Sequence, residues 1–321
     1  MQSETFTMLN NQGMNVFVYQ WFPDPDKEIK GVLQIVHGVS ETGARYEELA
    51  NLLTGNGYAV YANDHRGHGR TAESLQALGD AGDNGFEGMI EDIVLLSTII
   101  HKKHPLIPHY LLGHSMGSFI TQKIMCTYAE HFDGFILSGS NGPRGLLRIG
   151  ERLAGAQVKI KGAHHRSVLI NTIVFGPYNK GFGPIRTPFD WLSRDEQEVD
   201  RYINDPYCGK ICSARFFQEF FHLLRQIHTP EMLSKLVKDK PIYIFSGDMD
   251  PVGMHGKGVR NLIDLYQKLG VEQLEYRLYP DGRHEMLHEI NRDEVASHIL
   301  EWLDRQVKSF GKDSPAADPV L

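Results

Sequence analysis

His109-Tyr110-Leu111-Leu112-Gly113-His114-Ser115-Met116-Gly117-Ser118 is the stretch that decides how the rest of this 321-residue chain is read. Residues 109–112 form a short apolar run of the kind found in buried parallel strands. Residues 118–129 have helical spacing. The strand runs straight into Gly113 and the helix leaves just beyond Gly117, so the turn between them is sharp. Such a turn holds its central residue in a strained backbone conformation, where side chains two residues to either side would clash. Glycines at 113 and 117 remove that clash. The Ser115 hydroxyl then projects above the sheet at a helix N-terminus, where the dipole favours developing negative charge. Ser115 is therefore a candidate nucleophile.

Working outward, strands and helices alternate on both sides. Residues 5–9 and 15–21 read as a hairpin around Asn11-Gln12-Gly13. Strands are expected at 31–36, 58–62, 135–138, 241–246 and 274–279, and helices at 46–56, 86–101, 259–269 and 295–307. This order predicts an α/β fold: a mostly parallel central sheet with helices on both faces. The alternation lapses between Asn141 and Thr229, where aromatics and Gly/Pro punctuation dominate. The expected organisation is a core of residues 1–141 and 230–309, a cap (lid) insertion at 142–229, and a flexible tail at 310–321. An insertion at that edge lies over the carboxyl ends of the strands, where ligands bind.

A serine nucleophile needs a base, and the base an orienting acid. In strand–turn–helix serine sites these follow in the order Ser, acid, His. Asp250, in Ser246-Gly247-Asp248-Met249-Asp250-Pro251-Val252, lies in the loop after a strand. His284, in Pro280-Asp281-Gly282-Arg283-His284-Glu285, lies in the loop before the last helix. Asp248 and Asp281 are rival acids; Asp250 is preferred because it lies further along its loop, and Asp281 reads as a turn residue with Gly282. The oxyanion needs two amide donors. One is Met116, after the nucleophile; the other is Val39, in His37-Gly38-Val39, where Gly38 permits close approach.

In order along the chain stand His37-Gly38…Tyr46, Asp64-His65-Arg66-Gly67-His68-Gly69, the Ser115 pentapeptide, Gly247 to Val252 and Gly282 to Glu285. This set resembles the monoacylglycerol lipase/lysophospholipase group of α/β hydrolases, often catalogued with the serine aminopeptidases. The resemblance covers nearly the whole chain. It implies the α/β-hydrolase fold, Ser115, Asp250 and His284 as catalytic triad, and the Val39 and Met116 amides as oxyanion hole. It also implies carboxylic-ester hydrolysis through an acyl-enzyme, with a monoacylglycerol- or lysophospholipid-like substrate. The stretch from Arg186 to Asp195 resembles the cap of bacterial lysophospholipases. Ser118 departs from the group, which usually has glycine there. Haloalkane dehalogenases and epoxide hydrolases carry Asp at the turn, where this chain has Ser115. Two alternatives remain open at this point: an aminopeptidase, which needs an acidic group for the substrate's amine (Glu196, Glu198 and Asp200 being the cap candidates), and a non-catalytic ligand-binding protein on the same fold.

Composition narrows the partners. The net charge of −7 argues against a general nucleic-acid binder. Three cysteines are too few for a disulfide framework, and Cys208 and Cys212 have no histidine pair at zinc spacing. No metal or cofactor is expected. The N-terminus lacks the apolar core of a secretory signal, and no run reaches the roughly 18 apolar residues of a membrane span. Together these predict a soluble cytoplasmic protein. Within the cap, Phe175, Phe182 and Trp191 are the candidates for lining an acyl pocket. From Pro143 to Arg186 there are eight Lys/Arg against one acid, Glu151. That imbalance suggests transient contact of the cap with an anionic lipid surface, or a solvated face.

Overall fold

The computed structural model describes residues 1–313, with side chains through Phe310. A hairpin of β1 (Gln2–Leu9) and β2 (Asn15–Phe22) opens the chain. Then come β3 (Gly31–Val36), α1 (Glu47–Gly55), β4 (Tyr58–Asn63), α2 (Gly85–Lys103), β5 (His109–His114), α3 (Met116–Thr127) and β6 (Gly134–Ser138). Four helices follow: α4 (Leu147–Lys161), α5 (Val168–Phe175), α6 (Glu196–Asn204) and α7 (Ala214–Gln226). The short α8 (Pro230–Leu233) leads back to β7 (Ile242–Gly247), α9 (Lys257–Leu269), β8 (Leu274–Tyr279) and α10 (Arg292–Asp313).

The eight strands form one sheet in the order β1-β2-β4-β3-β5-β6-β7-β8, antiparallel at the hairpin edge and parallel from β4 onward. Strands β3 to β7 are buried at every position, so their apolar runs need no alternation. Tyr110, Leu112, Ile136 and Phe245 point to the face covered by α1 and α10. Leu111, Phe135, Leu137 and Ile244 point to the opposite face, covered by α2, α3 and α9. Strand order reverses direction between β3 and β5. The crevice beyond their carboxyl ends is where ligands bind in open α/β sheets, and the loops carrying Val39 and Ser115 both leave from there.

The segment without strand alternation is helical, with α4 to α7 inserted between β6 and β7. Its aromatic density serves packing first. Phe216 and Phe217 of α7 are buried, and Phe220 stacks on Phe86 of α2 at 5.4 Å and lies 6.1 Å from Phe119 of α3. The C-terminal helix starts three residues before the expected point and runs through Phe310 to Asp313. The expected tail is therefore helical at its start, and residues 314–321 lie outside the described ones.

The Asp64–Gly69 loop is structural. The Asp64 carboxylate accepts from the Gly43 amide (2.8 Å), the Arg70 amide (2.7 Å) and the Tyr19 hydroxyl (3.1 Å). Arg66 makes a buried ion pair with Asp92 of α2 (2.7 Å), and Asp92 also accepts from Asn10 Nδ2 in the hairpin turn (2.8 Å). Removing one partner of such a pair leaves an uncompensated charge in the interior. Asp92→Ala is expected to lower the unfolding free energy by about 3–5 kcal/mol in urea titrations.

Candidate active site

Ser115 has φ +51° and ψ −119°, a backbone conformation that L-residues avoid. Crowding explains the two flanking glycines. A Cβ on Gly113 would overlap Thr121 Oγ1 and the Gly117 carbonyl, and a Cβ on Gly117 would overlap the Val36 carbonyl. Helix α3 begins at Met116, earlier than its apolar spacing suggests, because the strained residue completes the turn by itself. Ser118, at the position where the resemblance leads one to expect glycine, puts its hydroxyl to use beneath the turn. It donates to the Ser115 carbonyl (2.6 Å) and lies 2.8 Å from Ser140 Oγ.

The three residues singled out from chain order meet in a line. His284 Nε2 lies 2.8 Å from Ser115 Oγ, and His284 Nδ1 lies 3.0 Å from Asp250 Oδ1. With the proton on Nδ1, the ring donates to Asp250 and accepts from the serine hydroxyl, the arrangement a general base requires. Asp250 is fully buried, and its carboxylate also accepts from the Val252 amide (2.8 Å) and the Ser246 hydroxyl (3.2 Å). Burial alone would raise its pKa. The adjacent His284 ring and these hydrogen bonds outweigh burial and hold the carboxyl below its usual range. Conversely, burial disfavours protonated His284, but the Asp250 charge and hydrogen bond outweigh it and raise the ring pKa. Asp248 and Asp281 make no contact with His284 among the described residues. The Asp248 amide donates to Tyr279 O, and Asp281 sits at φ +58° in the turn.

Gly38 sits hard against the serine, where an added Cβ would lie 3.3 Å from Ser115 Cβ. Its amide donates to Glu41 Oε1. His37 braces the same loop, donating from Nδ1 to Gly38 O (2.7 Å) and accepting at Nε2 from the His65 amide (3.0 Å). Burial lowers the His37 pKa to about 3, so the ring is neutral. Val39 lines the same cavity as Ser115, and Met116 is the first residue of α3, where amides have no intrahelical acceptor.

The cavity above Ser115 measures about 290 Å³. Phe175, Phe189, Trp191 and Leu192 of the insertion line one side, and Glu41, Glu285, Tyr202 and Lys210 contribute polar groups. Of the three expected aromatics, Phe175 and Trp191 face this space. Phe182 does not; the Arg283 guanidinium lies 4.4 Å from its ring centroid. Among the described residues, no cluster of three or more His, Cys, Asp or Glu side chains is arranged to hold a metal ion.

Sequence reasoning missed a charge network beneath this cavity. Arg45 donates in bidentate fashion to Glu285 (2.7 and 2.6 Å) and to Glu41 Oε2 (2.7 Å). It thereby joins the loop of Gly38 to the residue after His284. The i,i+4 spacing of Glu41 and Arg45 was visible, but the Arg45–Glu285 pair spans 240 residues and has no local signature.

This fold and this serine–histidine–aspartate line define the α/β-hydrolase class. The family model described as serine aminopeptidase, S33 matches residues 27–291, and the chain belongs to that family. Human monoglyceride lipase is 26% identical over 318 residues, spanning 96% of this chain and 93% of its own. The monoacylglycerol lipase of Mycolicibacterium smegmatis is 28% identical, covering 91% and 93%. The structure of a thermostable carboxyl esterase from Bacillus coagulans superposes with a TM-score of 0.88 at 28% identity, covering 96% of this chain and 99% of that one. The chain is thus a hydrolase-fold member of the esterase and lipase family.

Glu285 is buried, which would raise its pKa, but Arg45 outweighs burial and holds the carboxyl well below its usual range. A depressed carboxyl stabilises the fold above its unfolded pKa, near 4.3, and that contribution is lost as pH falls toward the folded value. Glu285→Gln is expected to cost about 2 kcal/mol at pH 7. In paired urea titrations, its gap from the wild type should narrow as pH drops below about 4.

Proposed function

We propose that this chain is a serine carboxylic-ester hydrolase acting on monoacylglycerol- or lysophospholipid-like esters through an acyl-enzyme. The observation that carries this reading is the Ser115–His284–Asp250 line at the floor of a partly apolar cavity. Ser115 Oγ attacks the ester carbonyl while His284 Nε2 takes its proton, and the oxyanion forms against the Val39 and Met116 amides. His284 then protonates the departing alcohol. In the second half-reaction it deprotonates water, which attacks the acyl carbon and releases the acid and Ser115. Asp250 orients the ring and balances the imidazolium charge. Residues 142–229 act as a cap over a core of 1–141 and 230–309, with Phe175 and Trp191 on the acyl side. The names of the lipase and esterase relatives support the substrate class.

Aminopeptidase chemistry is the weaker reading. It needs a carboxylate free to bind the substrate's amine. Glu41 and Glu285 line the cavity, but Arg45 occupies both. Glu196, Glu198 and Asp200 are not among the lining residues, and Glu198 and Asp200 pair with Arg201 and Arg186.

The basic stretch of the cap coincides with its apolar surface. Leu146 and Ile160 are 79% and 81% exposed, and Ile149, Val168, Leu169 and Ile173 are exposed beside them. Glu151, the stretch's one acid, is taken up by Arg225 and His222 of α7. Among the described residues no helix is long and apolar enough to cross a membrane. This face suits transient docking on an anionic lipid surface, where basic residues contribute about 1 kcal/mol each.

A fluorophosphonate probe is expected to label the wild type and not Ser115→Ala; an unlabelled wild type would refute the nucleophile. Asp250→Asn should lose about 10⁴-fold in kcat on p-nitrophenyl esters, through the wrong histidine tautomer. In flotation assays the protein should bind phosphatidylserine vesicles at low salt and release them at high salt. Equal binding to neutral phosphatidylcholine vesicles would defeat the docking proposal.

A further inference from the structure

The ring that packs on His284 from above comes from the insertion. The Trp191 indole lies 5.1 Å from the imidazole centroid, tilted by 36°. Its carbonyl accepts from the His284 amide (3.4 Å), and the next carbonyl, Leu192, accepts from the Glu285 amide (2.8 Å). Ser193 Oγ donates to His288 O (2.8 Å). From the other side, Arg283 Nη1 donates to the carbonyls of Asp190 and Ser193. Glu289 accepts from the Arg283 amide (2.9 Å) and from Arg194 Nε (2.9 Å). Residues 190–194 and the histidine loop are therefore laced together along their length.

Away from the cavity, Trp191 is itself held by three neighbours of the insertion. Its amide donates to Asn179 Oδ1 (2.8 Å), Tyr178 meets its ring edge-on at 4.9 Å, and Phe175 stacks at 6.2 Å. An indole packed this tightly has little rotamer freedom left to lose during a reaction cycle.

We propose that Trp191 is a positioning residue for His284: its ring backs the imidazole and stabilises the imidazolium, while residues 190–194 fix the histidine loop. This rests on the reading of Ser115, His284 and Asp250 as the reacting line. As the Ser115 proton moves to Nε2, positive charge appears on a ring that already faces Trp191. A cation over an indole face within about 6 Å is attracted by the ring quadrupole. The charge is present at the transition state and absent in the resting enzyme, so the effect falls on kcat and leaves KM unchanged. This stretch of the insertion is then part of the catalytic framework, and it does not swing away as a lid.

The other charged or titratable groups around His284 are Asp250 at Nδ1, the His114 ring at 4.9 Å, Glu285 and Glu41. Trp191→Leu keeps the site apolar and leaves these groups in place. The probe is p-nitrophenyl acetate, whose acyl group is too short to need an acyl wall. Trp191→Leu is expected to lower kcat about tenfold with KM unchanged. The acidic limb of its kcat/KM profile should move about one unit to lower pH, because the protonated ring loses a stabilising partner. Trp191→Phe, which keeps an aromatic face, should stay within about threefold of the wild type. Thermal unfolding reports whether each variant folds. If Trp191→Leu does not fold, Trp191→Met carries the same comparison. An unchanged kcat and acidic limb on acetate, with KM raised only for long-chain esters, would overturn the proposal and make Trp191 an acyl wall. Failure of the underlying reading looks different: Ser115→Ala would retain esterase activity.

Discussion

The structure turns on the crowding between β5, α3 and the end of β3. Three backbone segments meet there so closely that neither Gly113 nor Gly117 can carry a side chain. The residue between them is forced to φ +51°. Strain of this kind persists only where the surroundings over-determine it. Here those surroundings are a fully buried strand, a helix beginning at the next residue, and the Ser118 hydroxyl on the strained residue's own carbonyl. The result is a serine hydroxyl held rigidly above the sheet beside a row of helix amides, in the crevice where the strand order reverses.

Around that point the site is assembled from distant parts of the chain. The Gly38 loop follows β3, Asp250 follows β7, and His284 follows β8. The insertion between β6 and β7 lines the space with Phe175, Phe189, Trp191 and Leu192. Two devices bind these parts together. Below the cavity, Arg45 satisfies two buried carboxylates, Glu41 on its own loop and Glu285, which lies 240 residues further along the chain. Above it, residues 190–194 run along the histidine loop and share backbone hydrogen bonds with it. Buried charges of this sort have value chiefly as fasteners, since each would be costly if left unpaired. The helical insertion thus has two characters. Residues 190–194 are tied into the site, whereas α4 and α5 turn exposed leucine, isoleucine and valine side chains toward solvent.

The parallel sheet, the order of its elements and the candidacy of Ser115, Asp250 and His284 could all be read in advance, with Asp248 and Asp281 as rival acids. Each has a local signature: apolar runs for strands buried on both faces, glycines where a Cβ cannot fit, and loop residues just past a strand. The insertion was less legible. Helices α6 and α7 are strongly amphipathic, yet Gly/Pro punctuation and aromatic density masked them; Phe216 and Phe220 pack on α2 and α3, while most of the other aromatics pack within the insertion itself. Phe182 was expected at the cavity and instead meets Arg283. An aromatic residue's environment depends on which helix it meets, and no short stretch encodes that.

What the sequence determined by itself was the strained turn and the serine it holds, because a side chain at Gly113 would strike Thr121 and Gly117 of the same strand–turn–helix, whereas the exclusion at Gly117 comes from Val36 at the end of β3. Only the tertiary structure decided which acid faces His284, that Arg45 joins the Gly38 and histidine loops, and that Trp191 covers the imidazole. Those contacts join residues brought together by the packing of the sheet and the insertion. Their energies depend on burial, which exists only once the whole chain has folded.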